Sequence, residues 1–335
     1  MAKKTHLLEG NIPDFHPHHI RGPTFRNLLN SYRATVEAAA RRKATERIAR
    51  SSSATSRKTE KPKLTPPSQN KRDCDAEQKV ESEVKEFLHL DELRYSSLPD
   101  LVKERTASGG AGCGFLEKEE LIRLMEWKLK HGVFRPMLLG MVKSNPEKVV
   151  RQTTSEAFSA VSGSRATVAR DDEADEFPKS TLEKLSRPLR GVGPATASLL
   201  LSVGTGSQDP KQEVPFYSDD TFLWLCMEVY PRPRDLMGQE TGGKDTIKKN
   251  RHSDIFKPNG EINVKYNMQE YRMLWNAVKE LQTRLNSAEL SDKAVSCADI
   301  EKVAFVLRHI DLSGYNEQGE SNGSSSRKRK RKDII

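Results

Sequence analysis

The segment Leu189-Arg190-Gly191-Val192-Gly193-Pro194-Ala195-Thr196-Ala197 constrains this chain more than any other stretch. Ahead of it, Leu182 and Leu185 mark the inner face of a helix ending near Arg187-Pro188; after it, Pro194 is suited to the first position of a second helix through Leu199 and Leu200. Two glycines around a small apolar residue admit backbone angles closed to other residues and let an anion approach the main chain closely. The start of the second helix adds unpaired N–H groups and the positive end of a dipole. The turn therefore predicts a phosphate grip that needs no lysine and reads no base. A plain helix-helix corner, in which glycine only avoids a clash, is the competing reading.

The remaining pattern predicts an all-α chain. Leu121, Leu124, Met125 and Leu129 share one helical face that stops at Gly132, and Asn145-Pro146-Glu147 reads as the cap and first turn of another helix. Met268 to Leu285 and Cys297 to Ile310 continue the helical period, the latter opened by a capping-box-like Ser296-x-x-Asp299. These signals place a helical domain at 83–312, with an acidic loop at 162–178 and a polar surface excursion at 232–260. Residues 1–82 read as a largely disordered basic region holding an isolated helix over 25–48, and 313–335 as a disordered tail.

Charge is unevenly shared. Residues 1–75 carry 16 Lys and Arg against 7 Asp and Glu, and residues 327–335 carry 6 against 1, which leaves 76–326 mildly acidic in a chain of net +9. A body of that kind binds nucleic acid only through a local basic face or through its tails. The run Arg327-Lys328-Arg329-Lys330-Arg331-Lys332 predicts nuclear import, hence contact with the import machinery and a nuclear location. No apolar run is long enough for a membrane span, so no membrane partner is expected. The four cysteines form no C-x-x-C pair, so no metal and no cofactor is expected.

Leu189 to Ala197 resembles the signature turn of the helix-hairpin-helix DNA glycosylase superfamily, and within it the Amun-like branch. The resemblance implies an all-helical glycosylase-like domain that binds DNA through Gly191, Val192, Gly193, Ala195 and Thr196. It also implies a catalytic aspartate ahead of an apolar helix, and Ser218-Asp219-Asp220-Thr221-Phe222-Leu223-Trp224 occupies that place, with Asp220 in the closer register and Asp219 its rival. The same serine and aspartates make an ordinary helix cap, one acid facing a cleft and the other capping. Ala195 stands where the strand-cleaving members carry lysine, which argues against Schiff-base chemistry and leaves monofunctional base excision in DNA repair. Trp127, Phe216, Tyr217 and Trp224 are candidates to stack on an extruded base; His131, Lys128, Lys130 and Lys143 offer a second phosphate-facing edge. A DNA-binding module without catalysis and a nuclear adaptor that binds proteins remain the alternatives.

Overall fold

A computed structural model of the chain describes residues 14–56, 69–108, 114–132, 135–168, 177–206, 209–231, 255–257, 262–288 and 294–315. These form α1 (Gly22–Asn30), α2 (Tyr32–Ser56), α3 (Gln69–Glu92), α4 (Leu98–Ser108), α5 (Lys118–His131), α6 (Pro136–Lys143), α7 (Glu147–Val168), α8 (Lys179–Ser186), α9 (Pro194–Thr205), α10 (Asp219–Leu225), α11 (Met268–Ala288) and α12 (Cys297–Arg308). One π turn (Leu93–Ser97) joins α3 to α4. The chain is all-α among the described residues, where the only β feature is an isolated bridge between Phe256 and Ile262. No helix there is long and apolar enough to cross a membrane.

The fixed point is α9. Every residue of it except Pro194 and Gly204 is buried, so it lies inside the bundle, with α4, α7, α8 and α11 packed on it; its buried Ser198, Ser202 and Thr205 hydroxyls bond carbonyls one turn back. Leu199, Leu200, Leu201 and Val203 are almost fully buried, and each such side chain is worth roughly 1.5–3 kcal/mol. The turn that leads into α9 is thus anchored at one end in the core.

The N-terminal region corrects the sequence expectation. Over 14–56 it is ordered structure, not a tail carrying an isolated helix: Phe15, Ile20, Phe25, Leu28, Tyr32 and Val36 are buried in the common core. The expected helix 25–48 is two helices, broken at Ser31, and the second runs on to Ser56. Its apolar stripe looks faded because its inner face is made of alanines; Ala39 and Ala44 are buried, and small residues let α2 lie close to α3 and α12. Arg41 pairs with Glu81 and Arg47 with Glu83 along that seam, and Arg42 pairs with Asp311.

Two smaller corrections concern helix limits. The acidic loop expected from 162 begins later, because α7 continues to Val168; residues 169–176 lie outside the described residues, as do 232–254 and 258–260 of the surface excursion. The basic run Arg327 to Lys332 and most of the expected tail also lie outside them. The capping box at Ser296 and Asp299 forms, each backbone N–H bonding the other residue's side chain at 3.0 Å.

Candidate functional site

The turn between α8 and α9 has one residue that must be glycine. Gly191 has a φ of 78°, and a Cβ there would lie 3.1 Å from the Leu138 carbonyl oxygen and from side-chain atoms of Met141 and Val142 on α6. Gly193 is different: its backbone is extended, a Cβ would meet nothing, and no side chain caps the helix it begins.

Asn145 holds the turn in place. Its buried side-chain amide accepts from the Arg190 N–H at 2.8 Å and donates to the Arg190 carbonyl at 3.0 Å, as a neighbouring strand would. It also donates to the Val142 carbonyl at 3.0 Å. Asn145 is therefore a clamp between α6 and the turn, not the helix cap that its sequence context suggests; the first carbonyl to receive a helical bond in α7 is that of Pro146. Val192 closes on the Leu189 carbonyl at 3.3 Å and turns its side chain into the core. The amides of Gly191, Gly193, Ala195 and Thr196 make no hydrogen bond among the described residues.

Those free amides border a cavity of about 490 Å³, which also takes in Asp219 and Asp220 from the start of α10. Lys43 of α2, Lys128 of α5, Arg135 ahead of α6, Arg308 at the end of α12 and Tyr266 complete its edge. Distant parts of the chain thus meet within one hollow, and Lys43 comes from the region that the sequence gives to a tail.

The two aspartates do not divide their roles as expected. Ser218 alone caps α10, its hydroxyl accepting from the Thr221 N–H at 3.1 Å, and both acids line the cavity. Asp219 accepts a hydrogen bond from the Tyr266 hydroxyl at 2.9 Å. Tyr266 itself has a φ of 53°, a conformation rare outside glycine and costly enough to need support from its surroundings. The Asp220 carboxyl accepts no hydrogen bond among the described residues: burial and the neighbouring Asp219 push it up to about 7, while Arg308 and Lys43 pull the other way.

The basic groups are perturbed in the opposite sense. Burial lowers the amines of Lys43 and Lys128, against the pull of Asp220 on the first and Asp219 on the second. His131 is buried against Trp127, Phe305 and Phe87; burial and the nearby Lys43 push it well below the usual histidine range. His309 falls to about 4 for the same two reasons. Both imidazoles are therefore neutral near pH 7 and add no charge to the cavity edge.

The aromatic candidates divide unevenly. Trp224 lies away from the cavity, buried with its indole N–H on the Phe15 carbonyl, and is corrected to a core residue. Trp127 and Tyr217 reach the wall but are fully buried, bonding Asp91 at 3.0 Å and Glu270 at 2.9 Å, and Phe216 is nearly so. None of them offers an open face. The cavity-lining aromatic ring that is only half-buried is that of Tyr266, which no sequence signal marks; the Arg135 guanidinium lies 5.5 Å from its centroid and the Tyr217 ring 5.7 Å away. Lys130 and Lys143 pair with Glu86 and Glu126 and do not line the cavity, so of the expected second edge only Lys128 and His131 do.

Among the described residues no group of three or more His, Cys, Asp or Glu side chains is arranged to hold a metal. Comparison with known proteins returns no matching family model, no matching curated protein and no matching solved structure.

Proposed function

We propose that the chain is a DNA-binding protein of the helix-hairpin-helix glycosylase type that excises bases by hydrolysis. The single observation that carries this reading is the shared opening: unpaired amides at a helix start and two carboxylates at another border one cavity edged by four basic side chains. In this reading a DNA phosphate sits on the amides of Gly193, Ala195 and Thr196, and Lys43, Arg135 and Arg308 hold the flanking backbone. The target nucleotide turns out of the stack into the hollow beside Tyr266. Met137, 82% exposed on the first turn of α6 next to Leu138 of the cavity wall, is positioned to fill the gap left behind.

The chemistry follows from the two acids. Asp220, with a carboxyl near 7, takes a proton from water, and the water oxygen bonds to C1′ as the C1′–N bond breaks. The base departs with that electron pair and is protonated from solvent. Asp219, oriented by Tyr266, faces the positive charge that develops on the sugar. The products are a free base and an abasic site. The basic run Arg327 to Lys332 would carry such a protein to the nucleus.

The test is to incubate the full chain with duplexes that each hold one damaged or mismatched base and to reveal abasic sites by alkaline strand scission. Scission on at least one duplex, lost in the Asp219→Asn/Asp220→Asn double variant, supports the reading. Salt-sensitive duplex binding with no scission on any substrate would reduce the protein to a DNA-binding module, and no duplex binding at all would remove both.

A further inference from the structure

A second cavity, also of about 490 Å³, lies between α2 and α5. Helix α2 packs on α3 and α12, and α5 packs on α3, but where α2 passes α5 its face is alanine and leaves room. Ala39, Ala40, Ala44, Phe87, Leu129 and Phe305 make an apolar lining of the kind that takes small molecules. Two polar groups interrupt it. His131 is 8% exposed and lines the cavity, and its Nε2 has no hydrogen-bond partner among the described residues. Buried nitrogens of that kind are rare in folded chains, because lost hydration is costly unless something replaces it. Lys43 stands beside it, its Nζ donating to the His131 carbonyl at 2.7 Å. Other charges on the rim cancel in pairs, Arg47 with Glu83 and Lys130 with Glu86, whereas Lys43 makes no ion pair among the described residues. The rim therefore keeps one positive charge close to the unpartnered nitrogen.

We infer that this cavity binds a small aromatic acid with a fused-ring body, one carboxylate and one ring hydroxyl. The ring body suits the volume and packs on Phe87 and Phe305. The carboxylate meets the Lys43 amine in a charge-assisted hydrogen bond. The hydroxyl serves Nε2 whether or not that atom carries the imidazole proton, since a hydroxyl both donates and accepts. Water could satisfy Nε2 but would leave the apolar walls uncovered and the charge of Lys43 unmatched. The inference stands apart from the DNA reading: Lys43 and His131 border both hollows, whereas Ala40 and Phe87 border this one and not the other.

The experiment titrates hydroxynaphthoic acids that differ in hydroxyl position into the full chain and reads binding by calorimetry. Each is run beside its methyl ester, which lacks the charge, and beside naphthoic acid, which lacks the hydroxyl. The expected result is that at least one isomer binds once per chain with a Kd below about 1 mM, and that its ester and naphthoic acid each bind about fivefold more weakly or worse. Lys43→Gln should bring that isomer down to its ester, and His131→Phe should bring it down to naphthoic acid. Ala40→Trp fills the cavity from a half-buried position and should abolish binding, with melting temperature reporting an intact fold. Absence of binding by every isomer would overturn the inference. So would an ester or naphthoic acid that binds as tightly as the best isomer, or undiminished binding in folded Ala40→Trp, which would place the acid outside this cavity. The ester and naphthoic acid comparisons use the parent chain, so they decide the matter even where a variant misfolds.

Discussion

Helices α10 and α12 begin with nearly the same instructions and put them to different use. Each has a serine cap, Ser218 or Ser296, followed by acid in the first turn. In α12 the acid is the third helical residue, Asp299, which reaches back to the Ser296 N–H and closes the box. In α10 the acids are the first and second helical residues, too early to reach back, and both project into the cavity. An acid one or two positions earlier keeps the favourable end of the helix dipole but cannot close the box. The start of α9 goes further in that direction, since it has no cap and leaves its amides unpaired on the same cavity.

The largest expected effect is at α10. Removing both acids should lower base excision at least about 10²-fold, as loss of charge stabilisation at a reacting sugar does. Excision by the parent should fall as pH drops through about 7, because Asp220 then takes up a proton. Asp219→Asn removes the like charge that raises Asp220, so the Asp220 titration followed by carbon NMR should move to lower pH. Stability gives a check with its own sign. Asp220 rises from 3.8 to about 7 on folding, so its ionisation opposes the folded state as pH rises through that window. Asp220→Asn should therefore melt higher than the parent above pH 7 and lose the advantage near pH 4.

A smaller effect is expected where α9 is made to resemble α12. Gly193 is extended with open space at its Cβ, so Gly193→Asp should cap α9 and stabilise the fold by a few tenths of a kcal/mol, about the usual gain over glycine. The same change puts a charge where a phosphate would sit, and duplex affinity should fall by about tenfold, or ~1.4 kcal/mol. Unchanged affinity in that variant would mean that the amides of α9 hold no phosphate.

Below that, Arg135→Ala and Arg308→Ala should each weaken duplex binding and reduce the slope of log affinity against log salt by about one. The smallest functional effect is the control: Ser296→Ala should cost about 1 kcal/mol of stability by opening the box at α12, read from the denaturation midpoint, with affinity unmoved. A loss of affinity there would show that the three helix starts are coupled and that their contrast is not local.

Much of this was legible in the residues themselves. The Gly-Val-Gly-Pro turn, the helix after it and the paired acids of α10 each depend on local chemistry: a positive φ, a proline at a first helical position, a serine cap. What was missed is the cavity's other half. Lys43 lies in a stretch whose charge and alanine content read as an unpacked tail, because its partners, α3 and α12, lie far along the chain. Asn145 reads as a cap because Asn-Pro-Glu usually is one, and its bond to Arg190 joins residues that no local rule connects. Trp127, Tyr217 and Trp224 stand out in the sequence as aromatic rings, yet burial assigns them to the core.

The sequence by itself determined the helical class, the turn and the identity of the two acids, because backbone angles, caps and periodicity are set by neighbours a few residues apart. Only the tertiary structure decided that the turn, the acids, Lys43, Lys128 and Tyr266 border one hollow, and which groups inside it are shifted from their ordinary protonation. Desolvation and Coulomb terms depend on what lies within a few ångströms in space, and that is a property of packing.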